Sequence, residues 1–194
     1  MREWILRLVL VFGSPLVFLG LVELAARATG VGYPGSFLVE GATNEKFGWR
    51  FFPRTIARTP APFVVQGQRR VFVLGESAAM GFPDPGFGLA PHLQAALGGE
   101  WRVFNAAMTA INSHVIREIA RECARQQPQV FVVYLGNNEV VGPFGAGTIF
   151  GKFSALPVIR AQVWLTRWQA GQWLFRSPEI SDEWRGLEFF KDRL

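Results

Sequence analysis

Residues Trp4 to Ala26 form an almost unbroken apolar run, and the patterning changes twice after it. A helix over that run is about 34 Å long, enough to cross a bilayer core. Residues 28–69 are rich in Gly, Pro and aromatics and read as a linker. From Arg70 onward, short apolar runs alternate with amphipathic stretches. Arg70 to Leu74, Trp101 to Asn105 and Val130 to Leu135 have β character and recur about every 30 residues, the length of a βαβ unit. Their near-continuous apolarity predicts strands buried on both faces.

The intervening stretches have helical period. Leu89, Leu93, Ala96 and Leu97 make one stripe, stopped by Gly98-Gly99. Ile111, Val115, Ile116, Ile119, Ala120 and Cys123 make a second, opposite Arg117, Glu118, Arg121, Glu122 and Arg125. Pro128 follows this second stripe as a stop. Asn112 and Ser113 fit its start as caps. Strand and helix in alternation predict an open α/β sheet with right-handed crossovers. Leu156 to Phe175 reads as one amphipathic helix carrying Trp164, Trp168, Trp173, Arg160 and Arg167. Such a helix suits a membrane interface, a docking surface or packing on its own sheet.

Composition changes this picture in one respect. Hydrophobic residues are 49% and charged ones 18% of the 194, low in charge for a soluble protein. That favours a folded domain attached to a membrane. Net charge is +5, but the basic residues are scattered rather than gathered in one patch, which argues against nucleic acid. The lipid bilayer and its anionic head groups are the expected partner. Phe47-Gly48-Trp49-Arg50-Phe51-Phe52-Pro53 fits either the head-group level or packing on the domain. Cys123 is the single cysteine, so an internal disulfide is ruled out, and its place on the apolar stripe makes it a small buried hydrophobe.

Ala26-Arg27-Ala28 has the form of a signal cleavage site, but the apolar run is long for a signal peptide, so an uncleaved anchor is expected. A short basic N-terminus before one span resembles a signal anchor, which places that end in the cytoplasm and the domain outside, in the periplasm of a bacterial inner membrane if the source is bacterial. The expected division is 1–27 anchor, 28–69 linker, 70–152 α/β domain and 153–194 amphipathic helix with a charged tail.

Chemistry enters through two motifs. Gly75-Glu76-Ser77 follows the first β run, and Gly136-Asn137-Asn138-Glu139 follows the third. In an open α/β sheet, ligands bind beyond the carboxyl ends of the strands, so both motifs and the Ala106 to Ala110 stretch should converge there. A serine on a strand-to-helix turn exposes its hydroxyl for attack on an acyl carbonyl. The Asn138 carboxamide and backbone N–H groups near Ser77 and Ala110 suit the oxyanion. No metal cluster, P-loop or dinucleotide fingerprint is present in the sequence, so no cofactor is expected. His92 and His114 read as structural histidines rather than a base.

These motifs resemble the SGNH/GDSL hydrolases over about residues 45 to 150. Gly75-Glu76-Ser77 is similar to the family's Gly-Asp-Ser block, and Gly136-Asn137-Asn138-Glu139 to its Gly-x-Asn-Asp block. Asn105 to Ala110 stands where the second block lies, with Ala110 in place of glycine. Leu74 to Met80 and Tyr134 to Gly145 resemble a membrane-anchored bacterial subgroup. The resemblance implies an SGNH-hydrolase-like, flavodoxin-like three-layer sheet, with Ser77 as nucleophile and Asn138 and Ala110 as oxyanion donors. It also implies an Asp-x-x-His block and about two further strands. Asp182-Glu183-Trp184-Arg185 has the aspartate but arginine where histidine belongs. Two functions are expected from this. One is a non-catalytic accessory subunit docked on a membrane protein complex. The other is a serine esterase or acyltransferase acting on acyl esters of envelope glycans or lipids, its His and Asp lying outside this chain.

Overall fold

The computed structural model describes residues 2–39, 41–43, 46–51, 69–147 and 155–175. Helix α1 (Arg2–Thr29) contains Pro15. Its Glu3–Thr29 stretch is long and apolar enough to span a membrane, and its apolar side chains stand exposed along most of its length. A two-stranded antiparallel pair follows, β1 (Leu38–Val39) with β2 (Ala42–Thr43), then a 3₁₀ turn at Phe47–Arg50.

The central sheet has three parallel strands: β3 (Arg69–Gly75), β4 (Trp101–Asn105) and β5 (Val130–Tyr134). Their order is β4-β3-β5. The short helix α2 (Ser77–Met80) and α3 (Leu89–Leu97) connect β3 to β4, and α4 (Ser113–Ala124) connects β4 to β5. Helices α5 (Leu156–Leu165) and α6 (Gln169–Leu174) follow.

Alternation along β3 feeds two cores. Phe72 and Leu74 join Phe104, the α4 residues Val115, Ile116, Ile119 and Cys123, and the α5 residues Ile159 and Val163. Val73 faces the other way, against Ala79 and Met80 of α2 and Ala90 of α3. Helices thus cover both faces, the arrangement of a doubly wound α/β sheet. The strand and helix positions expected from periodicity agree to within about two residues, and Cys123 is fully buried.

Three expectations need correction. First, β5 is not buried on both faces: Val130, Phe131, Val133 and Tyr134 are all exposed, and among the described residues β5 pairs with β3 alone. Apolar runs record a demand for cover; they do not supply it. Second, the described part of the 28–69 stretch is no spacer. Phe37 and Phe47 are completely buried and Phe51 nearly so, all in the core under α4. The aromatic cluster therefore packs on the domain, with edge-to-face contacts from Phe37 to Phe47 and from Phe47 to Phe51. Third, Leu156 to Phe175 is two helices. The chain breaks at Thr166–Trp168 because the Thr166 carbonyl is taken by other donors. It accepts from Arg50 Nε at 2.9 Å and from Gln172 Nε2 at 2.9 Å.

Arg50 organises this corner. Its guanidinium also donates to Gly35 O at 2.5 Å and Val163 O at 3.4 Å, and lies 4.9 Å from both the Phe47 and Phe51 ring centres. Burial pulls its pKa down to about 10, opposed by Glu122 and Glu118, so it stays charged at neutral pH. Helix α1 is tied in separately. Glu23 Oε2 accepts the Ala170 N–H of α6 at 2.9 Å, while Oε1 pairs with Arg27 at 2.7 Å.

Candidate functional site at the carboxyl edge of the sheet

The chain leaves β3 toward β4 on one side and then returns to β5 on the other side of β3. The direction of winding therefore reverses between β3 and β5, and the region beyond their carboxyl ends is where open α/β sheets bind ligands. The register pairs Gly75 with Tyr134, so Glu76-Ser77 and Leu135-Gly136 leave the sheet side by side.

Gly75 is required by this closeness. A Cβ there would come within 2.1 Å of the Tyr134 carbonyl oxygen and 2.5 Å of the Ala79 side chain. Glu76 then turns inward with an extended backbone and is almost completely buried. Its carboxylate crosses to the β5 loop. Oε1 accepts Gly136 N–H and Asn138 N–H, each at 3.3 Å, and Oε2 accepts Asn138 N–H at 3.2 Å. Gly136 has a φ of 143°, a backbone that other residues rarely adopt.

Ser77 opens helix α2 and is half-buried. The neighbouring loop after β4 braces this helix. Met108 N–H donates to Gly75 O at 3.0 Å, and Asn105 Nδ2 donates to Met80 O at 3.0 Å. Asn138 Nδ2 donates in turn to Ile111 O at 3.1 Å, one residue beyond Ala110. Ser77, Asn138 and Ala110 are thus held at one edge by a chain of contacts running Glu76, Asn138, Ile111. Ala110 has φ 55°, the left-handed region that favours glycine.

The expected caps of α4 resolve differently. Asn112 stands at the N-cap position, but its Nδ2 donates to Pro143 O at 2.7 Å and its side chain makes no cap bond. Glu139 caps instead, accepting Ser113 N–H at 2.8 Å and Ser113 Oγ–H at 2.7 Å. Both glutamates, Glu76 and Glu139, therefore fasten the β5 loop to other elements. Thr109 Oγ1 and Asn112 Oδ1 flank Ala110 and Ile111 and are buried without a hydrogen-bond partner among the described residues.

Each histidine makes a local contact, and no hydrogen bond joins either to Ser77 among the described residues. His92 uses Nδ1 on the Gly88 carbonyl at 2.8 Å, on α3. His114 packs edge-on against Phe144. Burial pushes its pKa below the usual histidine value, against the pull of Glu139 and with the help of Arg160. Among the described residues no group of three or more His, Cys, Asp or Glu is placed to hold a metal. Asp182 and Arg185 lie outside the described residues.

The residues that sequence reasoning missed are Glu76 and Glu139. Each stands in a motif as its lone acid among apolar or neutral residues, and that is the available signal, since a buried acid must find donors.

No family model matches the chain. No curated protein matches it either. Among solved structures, the crystal structure of TesA is similar to it, with 22% identity and a TM-score of 0.35. The similarity covers 51% of this chain and 52% of that one, so the chain spans about half the length of TesA.

Proposed function

We propose that this chain presents an SGNH-type acyl-ester site on a membrane-tethered domain, with the soluble part in the periplasm of a bacterial inner membrane. The observation that supports this most is the buried Glu76 carboxylate, which spans the winding reversal and sets the Ser77 and Asn138 loops side by side. A serine hydroxyl at such a turn is the nucleophile. Its attack on an acyl carbonyl produces an oxyanion, and preorganised donors stabilise it. Asn138 Nδ2 spends one hydrogen on Ile111 O and has a second for the oxyanion, beside the Ala110 N–H. Serine needs a general base near neutral pH. Among the described residues none is in place, so the base and its aspartate come from a segment outside them or from a partner chain.

The site stands away from the foot of the membrane helix. It lies at the N-terminal end of α4, while the last turn of α1 lies toward the C-terminal end, about 18 Å along the helix. Esters of envelope glycans, which project from the bilayer, suit that placement better than ester bonds within it.

The test is hydrolysis of a short-chain nitrophenyl ester by the natural protein extracted in mild detergent. Ser77→Ala should lower kcat/KM by at least about a thousandfold. Equal rates for wild type and Ser77→Ala would end the catalytic reading.

A second reading has its own support. The uncovered apolar edge and face of β5 invite a partner, as an accessory subunit docked on a membrane complex would require. A stoichiometric membrane partner in the same extract, with no Ser77-dependent hydrolysis, would favour it.

A further inference from the structure

On the side of α4 away from Ser77, a cleft of about 770 Å³ opens between the last turn of α1, the segment after it and the C-terminal half of α4. Arg27, Arg121, Arg125 and Arg167 line it, with Tyr33 and Gln169. The acids there are already committed. Glu122 Oε2 accepts Phe37 N–H at 2.8 Å and Leu38 N–H at 3.2 Å. Glu118 is shared by Arg117, Arg121 and Arg167, and Glu23 pairs with Arg27. Arg125 makes no ion pair among the described residues. Cations therefore outnumber acids around the cleft. Each guanidinium carries five donors, so pairing with part of one carboxylate leaves most of them unused.

The surroundings narrow the choice of anion. Immediately N-terminal to Arg27, the α1 surface is apolar and exposed at Leu21 and Leu24. Trp168 lies under Arg27, 5.9 Å from ring centre to guanidinium, and Trp164, Trp168 and Trp173 are all exposed. Tryptophan collects at the level of lipid head groups. A cationic cleft continuous with an apolar helix surface matches an amphiphile with an anionic head.

We propose that this cleft binds the phosphate-bearing head group of an anionic membrane lipid, its acyl chains lying along α1. Planar guanidinium forks grip phosphate oxygens in pairs. The lipid would fix the height and tilt of the domain over the bilayer, and with it the reach of the Ser77 edge. This goes beyond the acyl-ester reading and rests only on α1 crossing the membrane.

The test is native mass spectrometry of the full chain in mild detergent, with phosphatidylglycerol, phosphatidylcholine or inorganic phosphate added. Wild type should retain one phosphatidylglycerol and little phosphatidylcholine. Arg121→Gln with Arg125→Gln should lower phosphatidylglycerol occupancy at least about tenfold, the loss expected for one or two charged hydrogen bonds. Arg125→Lys alone should retain most of it. Should the double variant melt early, Arg27→Gln is the replacement, and the same loss is expected. Equal retention of both lipids, or unchanged retention by the variants, would overturn the proposal. So would displacement of the lipid by inorganic phosphate, which would mark a site for a soluble phosphate compound. Retention of the chain in phosphatidylcholine vesicles after an alkaline wash reports on the α1 span separately.

Discussion

Glu76 and Asn138, 62 residues apart, meet through a buried carboxylate that accepts the Asn138 N–H at 3.2 Å. The same carboxylate takes Gly136 N–H, so one side chain closes the β5 loop onto the β3 loop. Charge-assisted bonds of this kind contribute about 1.5–3 kcal/mol each, and removing the acceptor strands buried donors. Glu76→Ala should therefore lower unfolding free energy by about 3 kcal/mol. Glu76→Gln, which keeps one oxygen, should lose less. Glu76→Asp is one methylene short of this loop and should fall between Gln and Ala. Urea unfolding of the three variants gives the order, and an alanine variant as stable as wild type would contradict the bridge.

Ala110 carries a side chain in left-handed backbone, at φ 55°. That conformation costs an L-residue about 1–2 kcal/mol, and glycine is spared it. Ala110→Gly should raise unfolding free energy by about 1 kcal/mol, less the added entropy of a flexible residue in the unfolded chain. A shift of the urea midpoint to higher concentration with an unchanged slope is the expected reading.

His114 gives the stability a pH dependence of known sign. Burial holds its pKa below 6.5 in the folded chain. The folded state thus binds its proton less readily than the unfolded one. Its contribution is present above pH 6.5 and is lost as pH falls through the lowered value. The melting temperature of wild type minus that of His114→Gln should decrease between pH 7 and pH 5. A difference independent of pH would contradict this environment for the ring.

Arg50 ties its own segment to two others through three carbonyls, those of Gly35, Val163 and Thr166. Arg50→Met would remove the side-chain donor to the Gly35 carbonyl and one of the two donors to the Thr166 carbonyl, and should destabilise by about 3 kcal/mol. Arg50→Lys should recover only part, because an ammonium lacks the planar fork that reaches all three. Protease cleavage at Arg167, in the break between α5 and α6, should accelerate in both variants.

How far the sequence carried the fold follows from range. The three strands and α4 are legible because their signals are local: runs of five or six residues with β character, and a 3.6-residue stripe opposite five charged positions. The convergence of Ser77, Asn138 and the 106–110 loop was legible too, since parallel strands put all three loops at one edge. What the sequence hid is long-range. Glu76 read as a departure from a motif, while its role depends on donors 60 and 62 residues away. The α5–α6 break depends on Arg50, 116 residues before Thr166, and nothing in the local pattern signals it. The cover on β5 was overestimated because an apolar strand looks the same whether a neighbour is present or absent.

The most direct test of the acyl-ester account is labelling with a serine-reactive fluorophosphonate. It would be applied to the natural protein in its own membranes and read by peptide mass spectrometry. The account predicts a phosphonyl adduct on Ser77, lost in Ser77→Ala and strongly reduced in Glu76→Ala. An unmodified Ser77, in membranes where other serine hydrolases are labelled, would contradict an activated nucleophile at this edge of the sheet.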